Sequence, residues 1–426
     1  HSGYNGGTVV LAGTGNIQTA PDEYFYFTGR NNAGLVYSDL TGDGALAFQI
    51  ALGGAGSLDY TLLGDNSGFS GKIRVAAVAG KDASLTLDNA STVQTPMASF
   101  TADSILLLTN AALNVSADTT LAESSNRGIT VQEGGQLGAA AGATFQIETP
   151  VAGDTLMALQ PGTLALTAVN TFTNLVISNG TVRLSRTENL QGITQGSGLL
   201  ETAMPVTNLM LAGGLFSAGL SNTVAALDVD RLTLAGGGLL VNFAATTQDL
   251  VSVGTLIGGD AGVTPICVTG IAATNGVAVR PVLASAALDT FSNTNFTLSY
   301  AQPGVHLPEG SLDIVREGNT PFLAFRQTRP VVVQTKTVAS GNDGFAKAEY
   351  WSNAQVPSAN NDYILDSAKS LYGIASIFPG HSLSIAHESA VFTLKALSMT
   401  FDDLRFYGGR MHNGLSGSII DLFGSI

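Results

Sequence analysis

Three short acidic clusters hold the residue types best suited to acid–base chemistry. They are Asp228 and Asp230 with Arg231, Asp362 and Asp366 with Lys369, and Asp402 and Asp403 with Arg405. Paired carboxylates, or a carboxylate with a basic partner, act as acid and base on glycosidic bonds. Asp228 and Asp230 would share one face of a strand. Each cluster nevertheless stands alone, without a like-charged neighbour at the same position of the next repeat. We therefore interpret all three as solvated turn or strand-edge charges and predict no catalytic residue.

The histidines are the next candidates, as metal ligands: His1, His306, His381, His387 and His412. His381 and His387 flank a short strand pattern and would point, with His412, at a common ion. Their spacing is not the i, i+2 or i, i+4 spacing that makes a metal site credible. The sequence therefore predicts no histidine metal site.

Two further features resemble functional elements but have simpler interpretations. The segment Asp39–Gly44 resembles a calcium loop, yet it lacks a third oxygen ligand and the distal glutamate, so we interpret it as an Asp-Gly turn. Cys267 is the only cysteine and is predicted to be a small buried hydrophobic residue. No nucleophile elbow, phosphate loop or dinucleotide fingerprint occurs. The sequence thus predicts neither metal, cofactor nor enzymatic activity.

The composition limits the possible partners. The chain has 426 residues, a net charge of −14 and a sequence pI near 4.6, which disfavours nucleic acid. Charged residues make up 12%, about half the usual share. Glycine and small neutral residues replace them, as suits stacked strands in which like charges would repel. No apolar stretch reaches 18 residues, so no transmembrane helix is predicted.

A recurring sequence motif, called here the Gly-Gly phrase, indicates which secondary-structure elements hold the candidate residues above. A short strand, a Gly-Gly corner and a second strand occur at Leu209–Phe216, Leu232–Leu239 and Leu404–Met411. The first two copies lie 23 positions apart, which is typical of one coil of a solenoid. This register predicts that Leu211 and Leu234 stack inside neighbouring coils, and that Thr207 and Thr233 point outward.

The rest of the chain has similarly spaced strand patterns, with one interruption. Short strand patterns separated by Gly, Asn and Asp predict a parallel β-helix over residues 1–330, including a 21-residue step from Leu85 to Leu106. Residues 331–381 are predicted to form an irregular connector or inserted element, and residues 382–426 to resume incomplete β-helical coils. At about 20 to 25 residues per coil, this predicts a rod on the order of 90 Å long.

Two passages resemble the autotransporter-associated β-strand repeat of large bacterial surface proteins. The stronger combines Leu164–Leu166, Asn170–Phe172 and Asn179–Leu184, and the weaker combines Leu58–Tyr60 with Asn66–Val75. The resemblance implies a right-handed parallel β-helix of a passenger-like protein at the cell surface, with no catalytic residues. Because the chain begins at His1 and stops within a strand pattern, we expect it to be a piece of a longer exported protein.

The function predicted from these observations is a non-catalytic extracellular structural or adhesive protein, forming a surface rod or fibre. Its expected partners are further copies of itself, by end-to-end or lateral association, and cell-surface glycans or matrix. Two alternatives stay open. A carbohydrate-active β-helix, a lyase or hydrolase, would align acidic or aromatic side chains over successive coils. A phage tail fibre or spike would require a trimer.

Overall fold

The computed structural model describes most of the chain as an all-β protein. Its sheets are large and dominated by parallel strands, an arrangement compatible with a β-helix. No helix among these residues is long and apolar enough to cross a membrane. The described residues are 8–11, 13–20, 23–29, 32–36, 39–50, 56–88, 93, 95–220, 223–244, 247–258, 263–269, 279–300, 310–336, 344–396, 398–406, 408–414 and 419–420.

The chain divides into two compact units. Unit 1 comprises His1–Leu239 and Val251–Thr264, and unit 2 comprises Leu240–Leu250 and Pro265–Ile426. This division falls well before the boundary at 330 that the strand rhythm suggests.

Unit 1 is built from short strands, most of them three to nine residues long. Its strands are β1 (Thr8–Leu11), β2 (Thr14–Asn16), β3 (Tyr24–Gly29), β4 (Asn32–Val36), β5 (Asp39–Gly42), β6 (Ala45–Ile50), β7 (Leu58–Leu62), β8 (Gly68–Phe69), β9 (Ile73–Ala76), β10 (Ala83–Leu87), β11 (Thr101–Leu108), β12 (Ala111–Val115), β13 (Thr119–Leu121), β14 (Arg127–Gln132), β15 (Gly135–Ala139), β16 (Thr144–Ile147), β17 (Val151–Ala158), β18 (Thr163–Ile177), β19 (Thr181–Thr187), β20 (Gly192–Gln195), β21 (Leu199–Thr202), β22 (Val206–Leu211), β23 (Leu215–Ala218), β24 (Ala226–Leu234) and β26 (Leu250–Gly258), with a 3-10 helix at Glu123–Ser125.

Strand pairing in unit 1 is parallel and skips neighbours in sequence. Strand β10 pairs with β7 and β12, whereas β11 pairs with β9 and β14. After each strand the chain therefore leaves the sheet, passes through other elements and comes back to form a new strand beside the earlier one. We call each such passage a return and each line of residues in register across the strands a row. The length of the return varies widely, because Ile193 pairs with Leu209 whereas Ile73 pairs with Ile105.

The register predicted from the Gly-Gly phrase is confirmed. Strands β22 and β24 pair in parallel, with Leu209 opposite Leu232 and Leu211 opposite Leu234. Leu211 is fully buried and Leu234 is 4% exposed. Thr207 is exposed, whereas Thr233 is half-buried. The corner between β22 and β23 uses Gly214 at a φ of +68°, a left-handed conformation that favours glycine.

The 21-residue step from Leu85 to Leu106 does not correspond to one coil. Leu85 lies opposite Leu113 of β12, and Leu106 lies in a different row, opposite Arg74 of β9 and Thr130 of β14. The two segments share leucines at the same spacing, but Leu85 is buried whereas Leu106 is half-buried on the other side of its strand. They belong to different rows, since the chain makes a longer excursion between β10 and β11.

Buried asparagines join neighbouring strands in both passages that carry the family resemblance. The side-chain oxygen of Asn66 accepts a hydrogen bond of 2.9 Å from the backbone nitrogen of Leu40. That of Asn170 accepts one of 3.0 Å from the nitrogen of Val151, and its amide donates at 3.0 Å to the carbonyl of Arg186. Both asparagines are fully buried. They supply partners to backbone groups that the strand ladders leave unpaired.

Unit 2 has a different strand arrangement. Its strands are β27 (Thr264–Thr269), β28 (Val279–Ala284), β29 (Phe296–Tyr300), β30 (Gly310–Glu317), β31 (Thr320–Gln327), β32 (Val331–Val333), β33 (Asp362–Leu365), β34 (Ser370–Gly373), β35 (Ser382–Ile385), β36 (Val391–Leu394), β37 (Ser398–Met399), β38 (Leu404–Phe406), β39 (Arg410–Asn413) and β40 (Ile419–Ile420), with 3-10 helices at Ala286–Thr290, Asn293–Asn295 and Ala348–Tyr350. Strand β25 (Gly238–Asn242) crosses the division between the units, and the first residues of β26 and β27, Leu250 and Thr264, also lie across it.

An antiparallel hairpin interrupts the parallel pattern before residue 330. Strands β30 and β31 pair antiparallel around a two-residue loop, with Glu317 opposite Thr320, and β31 also pairs antiparallel with β28. Gly318 opens the loop at a φ of +60°, as tight hairpin turns require. A continuous series of parallel strands through residue 330, as predicted, is therefore not observed.

Parallel pairing returns after residue 330. Strands β32, β33, β35 and β38 form one parallel sheet, and β34, β36 and β39 form another. The predicted irregular stretch 331–381 thus contributes β32, β33 and β34 to the same sheets as the residues that follow it. A core of aromatic side chains lies between these sheets, including Phe345, Trp351, Tyr363, Phe378 and Phe392. The third Gly-Gly phrase supplies β38 and β39, although Tyr407 within it lies outside the described residues.

We predict that Leu211→Ala and Leu234→Ala each destabilise unit 1 locally. A buried leucine truncated in a packed core loses roughly 2–5 kcal/mol, and stacked units interact mainly with their neighbours. Hydrogen exchange should show lost protection in β22, β24 and the adjoining strands. Protection in β12 to β16 should be retained. The exposed Thr207→Ala is the matched control, with an expected effect well under 1 kcal/mol. Equal destabilisation by the control, or loss of protection throughout unit 1, would contradict the register.

Candidate functional site

The predicted acidic clusters separate in the structure according to their burial. Asp228 and Asp230 are both exposed on β24, and Asp366 and Asp402 are exposed in unit 2. Asp403, which directly precedes β38, forms an ion pair with Arg405 in that strand. These carboxylates therefore lie in solvent or are neutralised locally.

Asp362 is the exception, because its side chain is only 1% exposed. It begins β33 and lies opposite Ser382, the first residue of β35, so parallel register brings His381 and Ser382 beside it. One carboxylate oxygen accepts a hydrogen bond of 2.7 Å from the hydroxyl of Ser382 and lies 3.0 Å from Nδ1 of His381. The other oxygen has no hydrogen-bond partner among the described residues.

This cluster has the residue types of a catalytic triad but a different geometry. In a triad the serine hydroxyl bonds to the imidazole, which bonds to the carboxylate. Here the hydroxyl of Ser382 donates directly to Asp362, and Ser382 is fully buried. A substrate therefore has no access to the hydroxyl, and the hydroxyl donates to the carboxylate and not to the imidazole. The cluster is a polar link between β33 and β35.

The other histidines do not join His381. The Nδ1 atom of His387 accepts a hydrogen bond of 3.1 Å from the backbone nitrogen of Ser389, and His412 is exposed on β39. His1 and His306 lie outside the described residues. Within the part of the chain that the structure describes, no group of three or more His, Cys, Asp or Glu side chains is placed to hold a metal ion.

Most of the segment interpreted as an Asp-Gly turn, Asp39–Gly42, forms strand β5, and Cys267 is buried as predicted. One carboxylate oxygen of Asp39 accepts a hydrogen bond of 2.8 Å from the backbone nitrogen of Asp65, so this side chain caps a neighbouring turn. Gly42, within the same segment, has a φ of +101°. Cys267 is buried in β27 with a free thiol.

Arg127 is a buried polar residue that sequence reasoning missed. Its guanidinium donates to the carbonyls of Thr95 at 3.2 Å, Gly71 at 2.8 Å and Phe69 at 3.1 Å. Burial lowers the pKa of Arg127 to about 10, so the group stays charged at neutral pH. Its partners lie up to 58 residues away in the chain, and no local pattern points to them. Arg127 therefore has a structural role, because its guanidinium joins three backbone segments of unit 1 by hydrogen bonds.

The arrangement best suited to binding lies on the outer face of the parallel strands β17, β18, β20, β22 and β24. A groove of about 330 Å³ opens there. Parallel register sets its outward side chains in two rows, separated by the buried row of Leu156, Leu175, Ile193, Leu209 and Leu232. The first row consists of Thr155, Asn174, Gly192, Asn208 and Arg231, and the second includes Val176, Thr194, Met210 and Thr233.

The groove exists because one side chain in the first row is missing. Gly192 lies between Asn174 and Asn208, and its lack of a side chain leaves a gap one strand wide. The amide of Asn208 donates a 2.8 Å hydrogen bond to the carbonyl of Gln191, which holds that side chain at the edge of the gap. Hydroxyl, amide and guanidinium groups of the first row thus lie along one side of a shallow depression, and Val176 and Met210 of the second row supply apolar surface on the other side. Such a surface presents hydrogen-bonding groups to solvent.

Sequence reasoning identified Asp228, Asp230 and Arg231 on this strand but not the groove. The residues of the first row are separated by 19, 18, 16 and 23 positions, as their registers show. A fixed repeat length cannot align them, so their convergence is visible only in the structure.

Comparison of the sequence with models of known protein families and with curated proteins finds no match. The similarity to autotransporter-associated repeats therefore stays a prediction from the sequence.

We predict that His381→Ala and Ser382→Ala each destabilise unit 2. Either change leaves the buried carboxylate of Asp362 with one partner fewer, which costs roughly 1–3 kcal/mol. Thermal unfolding measures the effect, with the exposed His412→Ala as the matched control. In an Asp362→Asn background the His381→Ala effect should shrink, because the buried charge is gone. Equal effects of His381→Ala in both backgrounds would contradict this role of His381.

Proposed function

We propose that this chain is a right-handed parallel β-helix that serves as an exported, non-catalytic structural or adhesive protein of a bacterial cell surface. The observation that carries the proposal is the outer face of β17 to β24, where in-register stacking sets Thr155, Asn174 and Asn208 in one row, with a gap at Gly192 and with Arg231 at the end of the row. Stacked repeats build extended binding surfaces in this way.

The placement of charge supports a binding role over a catalytic one. Several carboxylates are neutralised by a neighbouring cation, as in the pairs Lys72–Asp103 at 3.0 Å and Arg183–Glu201 at 2.5 Å. Acid and base residues of a glycosidase must instead face one bond from two sides. The ion pairs stabilise neighbouring strands.

The edge of strand β3 supports association with further copies. Among the described strands, the registered partner of β3 is β6. It carries no charge, and Phe25 and Tyr26, which point to opposite faces, are each 50% exposed. Sheet edges normally carry Lys, Pro or bulges that prevent pairing with another chain. Strand β3 has none of these, so we propose that copies associate through this edge.

We predict that Phe25→Lys weakens self-association, because a charge on an edge strand opposes pairing. Sedimentation velocity over a concentration series measures the effect. Phe100→Lys is the matched control, since Phe100 is 52% exposed and lies outside the strands. A wild-type protein that stays monomeric, or equal weakening by both substitutions, would contradict association through β3.

A second prediction tests the absence of catalysis and the location together. The purified protein incubated with pectin, alginate and glycosaminoglycans should release no unsaturated or reducing-end products. Antibodies against it should label intact cells of the source bacterium. Cleavage of any of these polysaccharides would overturn the non-catalytic assignment, and labelling only after lysis would overturn the surface location.

A further inference from the structure

Gly192 occupies a position that does not require glycine. Its φ lies outside the left-handed region, and a Cβ built on it would approach only the side-chain oxygen of Asn174, at 3.5 Å, an ordinary contact. Glycine at a strand position weakens the strand and often marks a close approach by a ligand. By contrast, a Cβ on Gly213 or Gly237 in the corners would collide with neighbouring backbone. The gap at Gly192 is therefore not needed for folding.

Arg231 is the last residue of the first row, and its guanidinium is available to a ligand. Its side chain is exposed, and within the described part of the chain it forms no ion pair or hydrogen bond, unlike Arg183 and Arg326, which pair with Glu201 and Asp313. A guanidinium presents a planar fork that matches a carboxylate. Arg231 is thus available to an anionic group lying in the groove.

We propose that this groove binds an acidic oligosaccharide, with a carboxylate of the sugar on Arg231 and its hydroxyl groups on Asn174, Asn208 and Thr194. This inference rests on the proposed function and specifies its ligand class. The gap at Gly192 admits a sugar ring between the two asparagines. Met210, which is 43% exposed in the second row, offers an apolar contact to the ring.

The surrounding charge determines which acidic saccharides fit. Asp228 and Asp230 are exposed on the same strand as Arg231, and the chain has a net charge of −14. This field repels a densely charged polyanion. A saccharide with carboxylates spaced among neutral sugars places one charge on Arg231 and keeps the others away from the aspartates. Adjacent strands lie about 4.8 Å apart, a spacing comparable to the length of one sugar in an extended chain.

The test is isothermal titration calorimetry with a hyaluronan tetrasaccharide, in which carboxylates alternate with neutral sugars, and with its carboxyl-reduced form. Arg231→Gln should weaken binding of the acidic probe at least about tenfold, as expected for one charge-assisted hydrogen bond. It should leave binding of the reduced probe unchanged. Gly192→Val should fill the gap and abolish binding of both probes without lowering the melting temperature. Thr86→Val, on the outward side of β10, is the matched control and should bind both probes normally.

No binding of the acidic probe by the wild-type protein, or unchanged binding in either Arg231→Gln or Gly192→Val, would overturn the proposed site. Mass spectrometry of the same samples separates this outcome from a failure of the proposed function. Cleavage of the probe would contradict the non-catalytic assignment, whereas an intact, unbound probe would overturn the groove alone.

Discussion

Parallel hydrogen bonding in register, from one return of the chain to the next, is the constraint on which unit 1 depends. It places each residue of a strand directly beside its counterpart in the neighbouring strand, as Leu211 is placed beside Leu234. Like residues therefore accumulate in rows. Apolar rows fill the interior, and outward rows must be neutral or carry alternate charges, because like charges directly opposite each other repel. The low content of charged residues follows from this geometry.

The same constraint creates a problem wherever a strand ends, since backbone groups there lose their partners. Buried polar side chains solve it. Asn66 and Asn170 bond backbone groups of neighbouring strands, and Arg127 donates to three carbonyls at once. Asp362 joins β33 to β35 in unit 2 through Ser382 and His381. These residues have the chemistry of functional sites, but their burial and their backbone partners give them a structural role. The outward groove, by contrast, has polar groups that face solvent.

Strand register could be predicted from the sequence only where a second signal marked the number of residues between paired strands, because that number varies along the chain. The phrases at Leu209 and Leu232 share a Gly-Gly corner as well as a leucine pattern, so two signals fix one register, and it was correct. Leu85 and Leu106 share only the leucine pattern, and the 21-residue step between them does not correspond to one coil. The hairpin around Gly318 and Asn319 has a recognisable Gly-Asn turn, but the expectation of parallel coils concealed it. Gly192 and Arg231 lie in one row only because two returns of different length, 16 and 23 residues, bring them there, which no fixed period predicts.

The most direct test of this account measures the distance across the groove. Cysteines at Thr155→Cys and Arg231→Cys, in a Cys267→Ala background, would carry spin labels for double electron–electron resonance. These positions lie four strands apart in the first row. In-register stacking predicts a backbone separation of about 19 Å, and a narrow distribution of label distances around that value. A distance of about 29 Å or more, equal to six strand spacings, or a broad distribution would contradict the stacking on which the groove and its proposed function depend.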